Sequence, residues 1–91
     1  MEAKLWVMKK LPSPPTARQT FALNLRALRR AKEISQEELA DSAELSRAYV
    51  SSVERGERNI SIDNIGKLAQ ALGTSPMTLL DPDLAKRLKG E

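Results

Sequence analysis

The 91-residue sequence contains no cysteine and no histidine. Without cysteine, the chain has no disulfide framework and no thiolate metal site. Without histidine, it lacks the commonest general base and the commonest zinc ligand. We therefore predict that the protein is not an enzyme and that it carries no metal and no cofactor. No small-molecule ligand site is evident in the sequence either.

Long hydrophobic runs are missing as well. The longest run, Leu5–Met8, is far shorter than the ~20 residues that span a bilayer, and it is short for a signal-peptide core. We expect a cytoplasmic protein with no membrane partner. A chain of this length forms one small domain, and such domains often gain stability by oligomerising.

The net charge is small, but the charged residues are unevenly distributed along the chain. The formal net charge is +3. Residues 1–32 hold eight basic residues and one acid, whereas residues 33–57 hold seven acids and two arginines. Such a distribution gives the molecule a basic side and an acidic side. It agrees with an anionic partner, and equally with a set of solvated helix faces.

Prolines and helix caps divide the chain into three parts. Residues 1–15 form an N-terminal arm, because the segment LPSPPT holds three of the five prolines and cannot continue a helix. Residues 16–81 have helical spacing of apolar residues throughout and form the main domain. Residues 82–91 are expected to form a short C-terminal helix or tail.

Five helices are predicted in the main domain. Thr16, Ser35, Ser46 and Ser61 each suit a helix start, where a hydroxyl accepts a hydrogen bond from a free amide. Ser75-Pro76 suits a fifth start, since proline is tolerated in the first turn. No alternating strand pattern occurs, so the fold class is all-α, a compact five-helix bundle. The predicted inward residues of the first and fourth helices are Phe21, Leu25, Leu28, Ala31, Ile62, Ile65, Leu68, Ala69 and Leu72.

The second and third helices are separated only by Glu44–Ser46. Two short helices on so tight a turn suggest a helix-turn-helix motif. In the third helix, Ser46–Arg55, the side chains of Val50 and Val53 share one side and are expected to face the core. The two helices then form a rigid corner that presents the other side of the third helix.

That other side combines small residues with long polar ones. Its members are Arg47, Ala48, Ser51, Ser52 and Arg55, with Tyr49 at the boundary. A helix that enters the major groove of DNA needs small side chains where its backbone approaches, and a few long donors for base edges. An ordinary solvated face would carry pairs of glutamate and lysine instead. The composition therefore favours a nucleic-acid interface.

The segment Ser35–Ile62, SQEELADSAELSRAYVSSVERGERNISI, resembles the Cro/CI-type helix-turn-helix domain of phage repressors and many bacterial regulators. The resemblance extends from about Phe21 to Leu80, and RAYVSSVERGERN is most similar to restriction–modification controller proteins. It implies a lambda-repressor-like fold of five helices. It also implies an XRE-type transcription regulator that binds double-stranded DNA as a homodimer.

The resemblance assigns roles to residues of the third helix. Arg47, Ala48 and Ser52 fall where the family reads bases, and Ala48 could contact only a thymine methyl group. Tyr49 and Ser51 are expected to contact the DNA backbone or nearby base edges.

It also assigns roles outside that helix. Gln36 is expected to bind a phosphate at the start of the second helix. Arg58 and Asn59 lie in the following loop, where the family contacts phosphate, and Arg58 could also reach a base. Arg29 and Glu54 match an ion pair that ties the first helix to the third, with a structural role.

Two positions depart from the family pattern. The family often has glycine at the positions of Glu33 and Glu44, each just past a helix end. We predict a positive φ at one or both, although a non-glycine residue in the left-handed region costs about 1 kcal/mol.

The last helix of the domain offers a dimer interface. Met77, Leu79 and Leu80 are its candidate contact residues, and the alternative is that they complete the core of the protomer.

The leading hypothesis is a sequence-specific transcription regulator that binds a palindromic operator as a homodimer. One alternative is an antitoxin-type regulator, in which the arm or the tail also binds a toxin. Another is a protein–protein adaptor that has the fold without DNA binding. For the arm itself three roles stay open: phosphate contacts by its lysines, packing of Trp6 on a partner subunit, or disorder.

Overall fold

The computed structural model describes residues 13–90. Within this range all regular elements are helices, and none has the length and apolar character needed to cross a membrane. In chain order they are α1 Ala17–Ala31, α2 Gln36–Ala43, α3 Arg47–Glu54, α4 Ile62–Ala71, α5 Pro76–Leu79 and α6 Leu84–Leu88. The all-α fold with five helices in the main domain is confirmed, and α6 follows as a short C-terminal helix. Most of the predicted arm lies outside the described residues.

Hydroxyl side chains start the first five helices, as predicted. Each one accepts a hydrogen bond from the backbone N–H three residues further on, and each such cap stabilises a helix by about 1 kcal/mol. Thr16 with Gln19 and Ser35 with Glu38 form complete capping boxes. The caps of α3, α4 and α5 are Ser46, Ser61 and Ser75.

The turns after α1 and α2 both contain a left-handed glutamate. Glu33 and Glu44 each have φ of 58°, which confirms the predicted positive φ and shows it at both positions. The N–H of Ile34 reaches the carbonyl of Arg29 at 3.2 Å, and the N–H of Leu45 reaches that of Ala40 at 2.9 Å. These bonds close the two helix ends, and they require a left-handed residue in between.

Replacing either glutamate with glycine is expected to stabilise the protein. The gain should reach up to about 1 kcal/mol for each site, because the relief of left-handed strain exceeds the added chain entropy of glycine. Urea unfolding of Glu33→Gly and Glu44→Gly measures it. Glu37→Gly, at an exposed helical position, serves as the matched control and should lose about 0.5–1 kcal/mol. Losses at all three positions would contradict this account.

The core lies where α1, α2, α3, α4 and α5 meet. Phe21, Leu25, Leu68 and Leu72 are at most 2% exposed, as the apolar spacing predicted. Two predicted inward residues are corrected. Ala31 is exposed, and Ile62 is 84% exposed. Both stand at a helix end, where the apolar spacing continues but no neighbouring helix covers the side chain.

A buried asparagine joins α1 to the end of α5. Asn24 is 1% exposed, and its amide donates to the carbonyls of Leu79 at 2.9 Å and Asp81 at 2.7 Å. Leu79 itself has no exposed surface. It therefore completes the core of the protomer, and the interface prediction for this residue is corrected.

Candidate nucleic-acid interface

The corner between α2 and α3 holds α3 by one side. Val50 and Val53 are at most 2% exposed and pack with Leu39 and Ala40 of α2, so their predicted orientation is confirmed. α3 also packs against α1. The first turn of α3 is left on the surface of the molecule.

That first turn exposes the residues expected to meet DNA most closely. Arg47 and Ala48 are both exposed. Among residues 13–90, no acidic side chain forms an ion pair with Arg47. The guanidinium is thus available to an outside acceptor, and the neighbouring methyl group leaves room for close approach.

Ser51 and Arg55 form a second exposed group on α3. The guanidinium of Arg55 donates to the Ser51 hydroxyl and pairs with the carboxylate of Glu57 at 3.1 Å. An exposed ion pair of this kind contributes at most about 1 kcal/mol. Ser51 is half-buried, so its hydroxyl lies at the edge of the exposed surface.

Ser52 does not lie on the exposed side. It is 7% exposed, and its hydroxyl is surrounded by Tyr49 and Arg58. The prediction that Ser52 reads a base directly is therefore corrected. Arg58, six residues further on, turns back from the loop and covers it.

Tyr49, Ser52, Arg58 and Asn64 form a cluster, which we call the loop clasp. The guanidinium carbon of Arg58 lies 5.2 Å from the centre of the Tyr49 ring, within the range of a cation–π contact. The Nε–H of Arg58 donates to the Ser52 hydroxyl at 2.9 Å. The amide of Asn64, on α4, donates to the Tyr49 hydroxyl at 3.0 Å. The clasp joins α3, the loop after it and α4.

A buried carboxylate connects α3 to both preceding helices. Arg29 donates to Glu54 twice, from Nε at 2.6 Å and from Nη2 at 2.9 Å, and its Nη1 reaches the carbonyl of Ile34 at 2.8 Å. The predicted structural ion pair is confirmed. Gln36 donates one amide N–H to Glu54 at 3.1 Å. Among residues 13–90, no group accepts a hydrogen bond from its second amide N–H.

Acid is expected to weaken the fold through Glu54. Burial acts to raise the pKa of Glu54, but hydrogen bonds from Arg29 and Gln36 and the nearby positive charges outweigh it, so this pKa lies below its ordinary value. A carboxyl with a lower pKa in the folded state stabilises the protein above its unfolded pKa, about 4.3, and this stabilisation disappears as the pH falls through the folded pKa.

Urea unfolding between pH 7 and pH 3 tests this expectation. In the wild-type protein the free energy of unfolding should fall with pH below about 4.3. The Glu54→Gln variant should show a weaker fall in the same window. Glu57→Gln, which changes an exposed carboxylate, is the control. Equal pH dependence in wild type and Glu54→Gln would exclude the proposed role.

The loop after α3 lies beside the start of α1. Arg58 and Asn59 are exposed, and they line a shallow groove with Ala17 and Arg18. The sequence analysis did not predict that Arg18, a basic residue in the first turn of α1, lines this groove. It also missed Asn64, which is fifteen residues from Tyr49 in sequence and carried no local signal.

Comparisons with known proteins agree with this arrangement. A helix-turn-helix family model, HTH_3, matches residues 25–79. Control protein C.BamHI of Bacillus amyloliquefaciens is 48% identical over 65 residues, which are 70% of this chain and 80% of that protein.

A second relative matches almost the whole chain. It is a hypothetical transcription factor of Neisseria meningitidis serogroup B, 45% identical over 89 residues, or 98% of this chain and 83% of that protein. Its crystal structure has a TM-score of 0.72 to this chain and covers 89% of this chain and 97% of that one. The sequence alignment of 89 residues therefore includes nearly all of the predicted arm.

A third similarity is to a protein bound to DNA. The restriction–modification controller protein C.Esp1396I, solved as a tetramer in complex with its natural 35 base-pair operator, is 25% identical to this chain. The TM-score is 0.69, and the match covers 84% of this chain and 99% of that one.

Proposed function

The chain belongs to the HTH_3 helix-turn-helix family, and we propose that it is a sequence-specific DNA-binding transcription regulator of the controller type. It acts as a homodimer on a palindromic operator, with α3 in the major groove. The protein regulates by binding and performs no catalysis. We place it in the cytoplasm because the similar controller protein C.Esp1396I is solved in complex with its natural operator DNA.

The observation that carries this proposal is the first turn of α3. It exposes an arginine that has no ionic partner among residues 13–90, next to an alanine, while the valines behind it are buried. A guanidinium can grip the O6 and N7 atoms of guanine together, and a methyl side chain can contact thymine. Arg47 is the proposed base reader, and Ala48 the proposed thymine contact.

Contacts to the DNA backbone come from the rim of this surface. The second amide N–H of Gln36 donates to no group among residues 13–90, and Tyr49 and Ser51 are half-buried at the edge of the exposed face. Arg58 and Asn59 approach from the loop. Phosphate contacts of this kind set the register of the protein on the duplex, whereas base contacts set the sequence.

Dimerisation is proposed through exposed apolar residues of the C-terminal half. Met77 is 79% exposed and Leu80 is 40% exposed, while Leu79 is excluded by its burial. The two residues are three positions apart at α5, and a contiguous exposed apolar patch is typical of a surface that meets a partner. A two-fold dimer places two recognition helices about one DNA turn, roughly 10 bp, apart. No described contact favours the antitoxin or adaptor alternatives.

Selection of bound duplexes from a random pool, followed by footprinting, tests the proposal. A selected palindrome with half-sites one turn apart is the expected result, and it would establish sequence specificity and symmetry together. Failure to enrich any sequence, with no binding to duplex DNA at low salt, would exclude the proposed function.

A further inference from the structure

The hydrogen bonds around Ser52 can have only one direction. Arg58 is a donor without an acceptor, so the Ser52 oxygen must accept from its Nε–H, at 2.9 Å. The Ser52 proton then goes to the carbonyl of Tyr49, which only accepts, at 2.8 Å. Ser52 is nine-tenths buried and is satisfied by these bonds. Its hydroxyl therefore connects the backbone of α3 to the side chain of Arg58.

The hydrogen bond to Ser52 determines which side of the Arg58 guanidinium faces outward. The Nε edge points to Ser52, and the Tyr49 ring lies within cation–π distance of the guanidinium. Among residues 13–90, nothing accepts a hydrogen bond from Nη1 or Nη2 of Arg58. The two terminal nitrogens are therefore held together in one orientation for an outside acceptor.

The Tyr49 hydroxyl is also oriented by a hydrogen bond, which comes from Asn64 on α4. Asn64 donates its amide N–H to the Tyr49 oxygen at 3.0 Å, so the hydroxyl keeps its own proton for another acceptor. A hydroxyl that already accepts one hydrogen bond becomes a stronger donor. Phosphate oxygens only accept, which makes this direction the useful one on DNA.

We infer that Ser52 and Asn64 are positioning residues for DNA recognition, which act through Arg58 and Tyr49 without touching DNA. The inference rests on the proposed function and deepens it. Holding a long side chain in its bound orientation before binding removes an ordering cost that the complex would otherwise carry. Ser52 was predicted from the sequence to read a base, and its buried position gives it this indirect role instead.

A double-mutant cycle on the selected duplex tests the action through Arg58. Ser52→Ala alone should weaken binding about fivefold, since Arg58 becomes free to reorient. In the Arg58→Ala background the same change should have no effect beyond about twofold. Ser52→Thr restores the hydroxyl and should restore affinity. Ser42→Ala, at an exposed serine of α2, is the matched control.

Salt dependence separates positioning from loss of charge. Ser52→Ala keeps the Arg58 charge, so the slope of log affinity against log salt should stay that of the wild type. Thermal unfolding of each variant shows whether the fold is retained. Additive losses from Ser52→Ala and Arg58→Ala would overturn the inference for Ser52.

The second cycle combines Asn64 and Tyr49. Asn64→Ala should weaken binding about threefold in the wild type and have no effect in the Tyr49→Phe background. Asn64→Asp should weaken it further, because a carboxylate would accept the phenol proton and turn it away from DNA. Full affinity in Asn64→Asp would overturn the inference for Asn64.

Failure of the inference and failure of the proposed function have different signatures. If the wild type selects no duplex, both fall. If the wild type binds its palindrome tightly and the two cycles are additive, only the inference falls.

Discussion

Replacing Glu54 with alanine is expected to lower the free energy of unfolding by about 3 kcal/mol. The carboxylate has no exposed surface, and the side chain of its partner Arg29 is only 11% exposed. Removal of the acid would leave a nearly buried guanidinium with one remaining hydrogen bond, to the carbonyl of Ile34. An unpaired charge in such a place is among the few changes that cost this much.

The size of this effect measures the unpaired charge and not the strength of the pair. Burying both charges has its own desolvation cost, which their attraction only offsets. The double variant Arg29→Met with Glu54→Leu should therefore recover most of the stability lost in Glu54→Ala. Urea unfolding of the single and double variants gives the comparison.

The exposed pair Arg55–Glu57 supplies the control. Its atoms are at a similar distance, 3.1 Å, but both side chains are at least half exposed. Glu57→Ala should change stability by less than about 0.5 kcal/mol. A loss below about 1 kcal/mol for Glu54→Ala would show that Arg29 finds solvent or another partner.

The Glu54 site also has a consequence for recognition. The Glu54 carboxylate accepts hydrogen bonds from Arg29 of α1 and Gln36 of α2, and Glu54 is the last residue of α3. The recognition helix is therefore fixed at its end by charge and along its side by the valines. Its first turn, which carries Arg47, is held by neither and is oriented by the rest of the helix.

Local chemistry made much of this fold predictable from the sequence. Serine and threonine caps mark the helix starts because their hydroxyls satisfy amides within three residues. The left-handed turns at Glu33 and Glu44 follow from positions where the resembled family has glycine. The pairing of Arg29 with Glu54 followed from the same resemblance, since no local rule connects residues so far apart.

The errors arose where distant segments meet. Helical spacing places Ser52 on the side opposite Val50, and it contains no sign that Arg58 folds back over it. The sequence around Leu79 does not show whether the protomer or a partner covers its side chain. In the structure the protomer buries it, and its carbonyl accepts a hydrogen bond from buried Asn24. Periodicity defines which side of a helix is apolar, but the extent of burial depends on what packs there.

Replacing Arg47 with alanine is expected to give the largest loss of DNA binding. A guanidinium that grips one guanine contributes about 1–3 kcal/mol of discrimination, or roughly five- to 150-fold in affinity for the selected duplex. Arg47 is exposed and without an ionic partner in the described chain, so its removal leaves no buried charge and should not disturb the fold. Binding to duplexes changed at each position in turn measures where specificity is lost.

Two further variants separate the fork of Arg47 from its charge. Arg47→Lys keeps the charge but cannot donate two parallel hydrogen bonds, so it should lose discrimination at one base pair and keep the salt dependence. Arg30→Ala, which removes an exposed charge from α1, should leave the base preference unchanged. If Arg47→Ala weakens all duplexes equally and lowers the salt slope by about 0.9, Arg47 contacts a phosphate. If discrimination falls at one position in both Arg47 variants, Arg47 reads the base at that position.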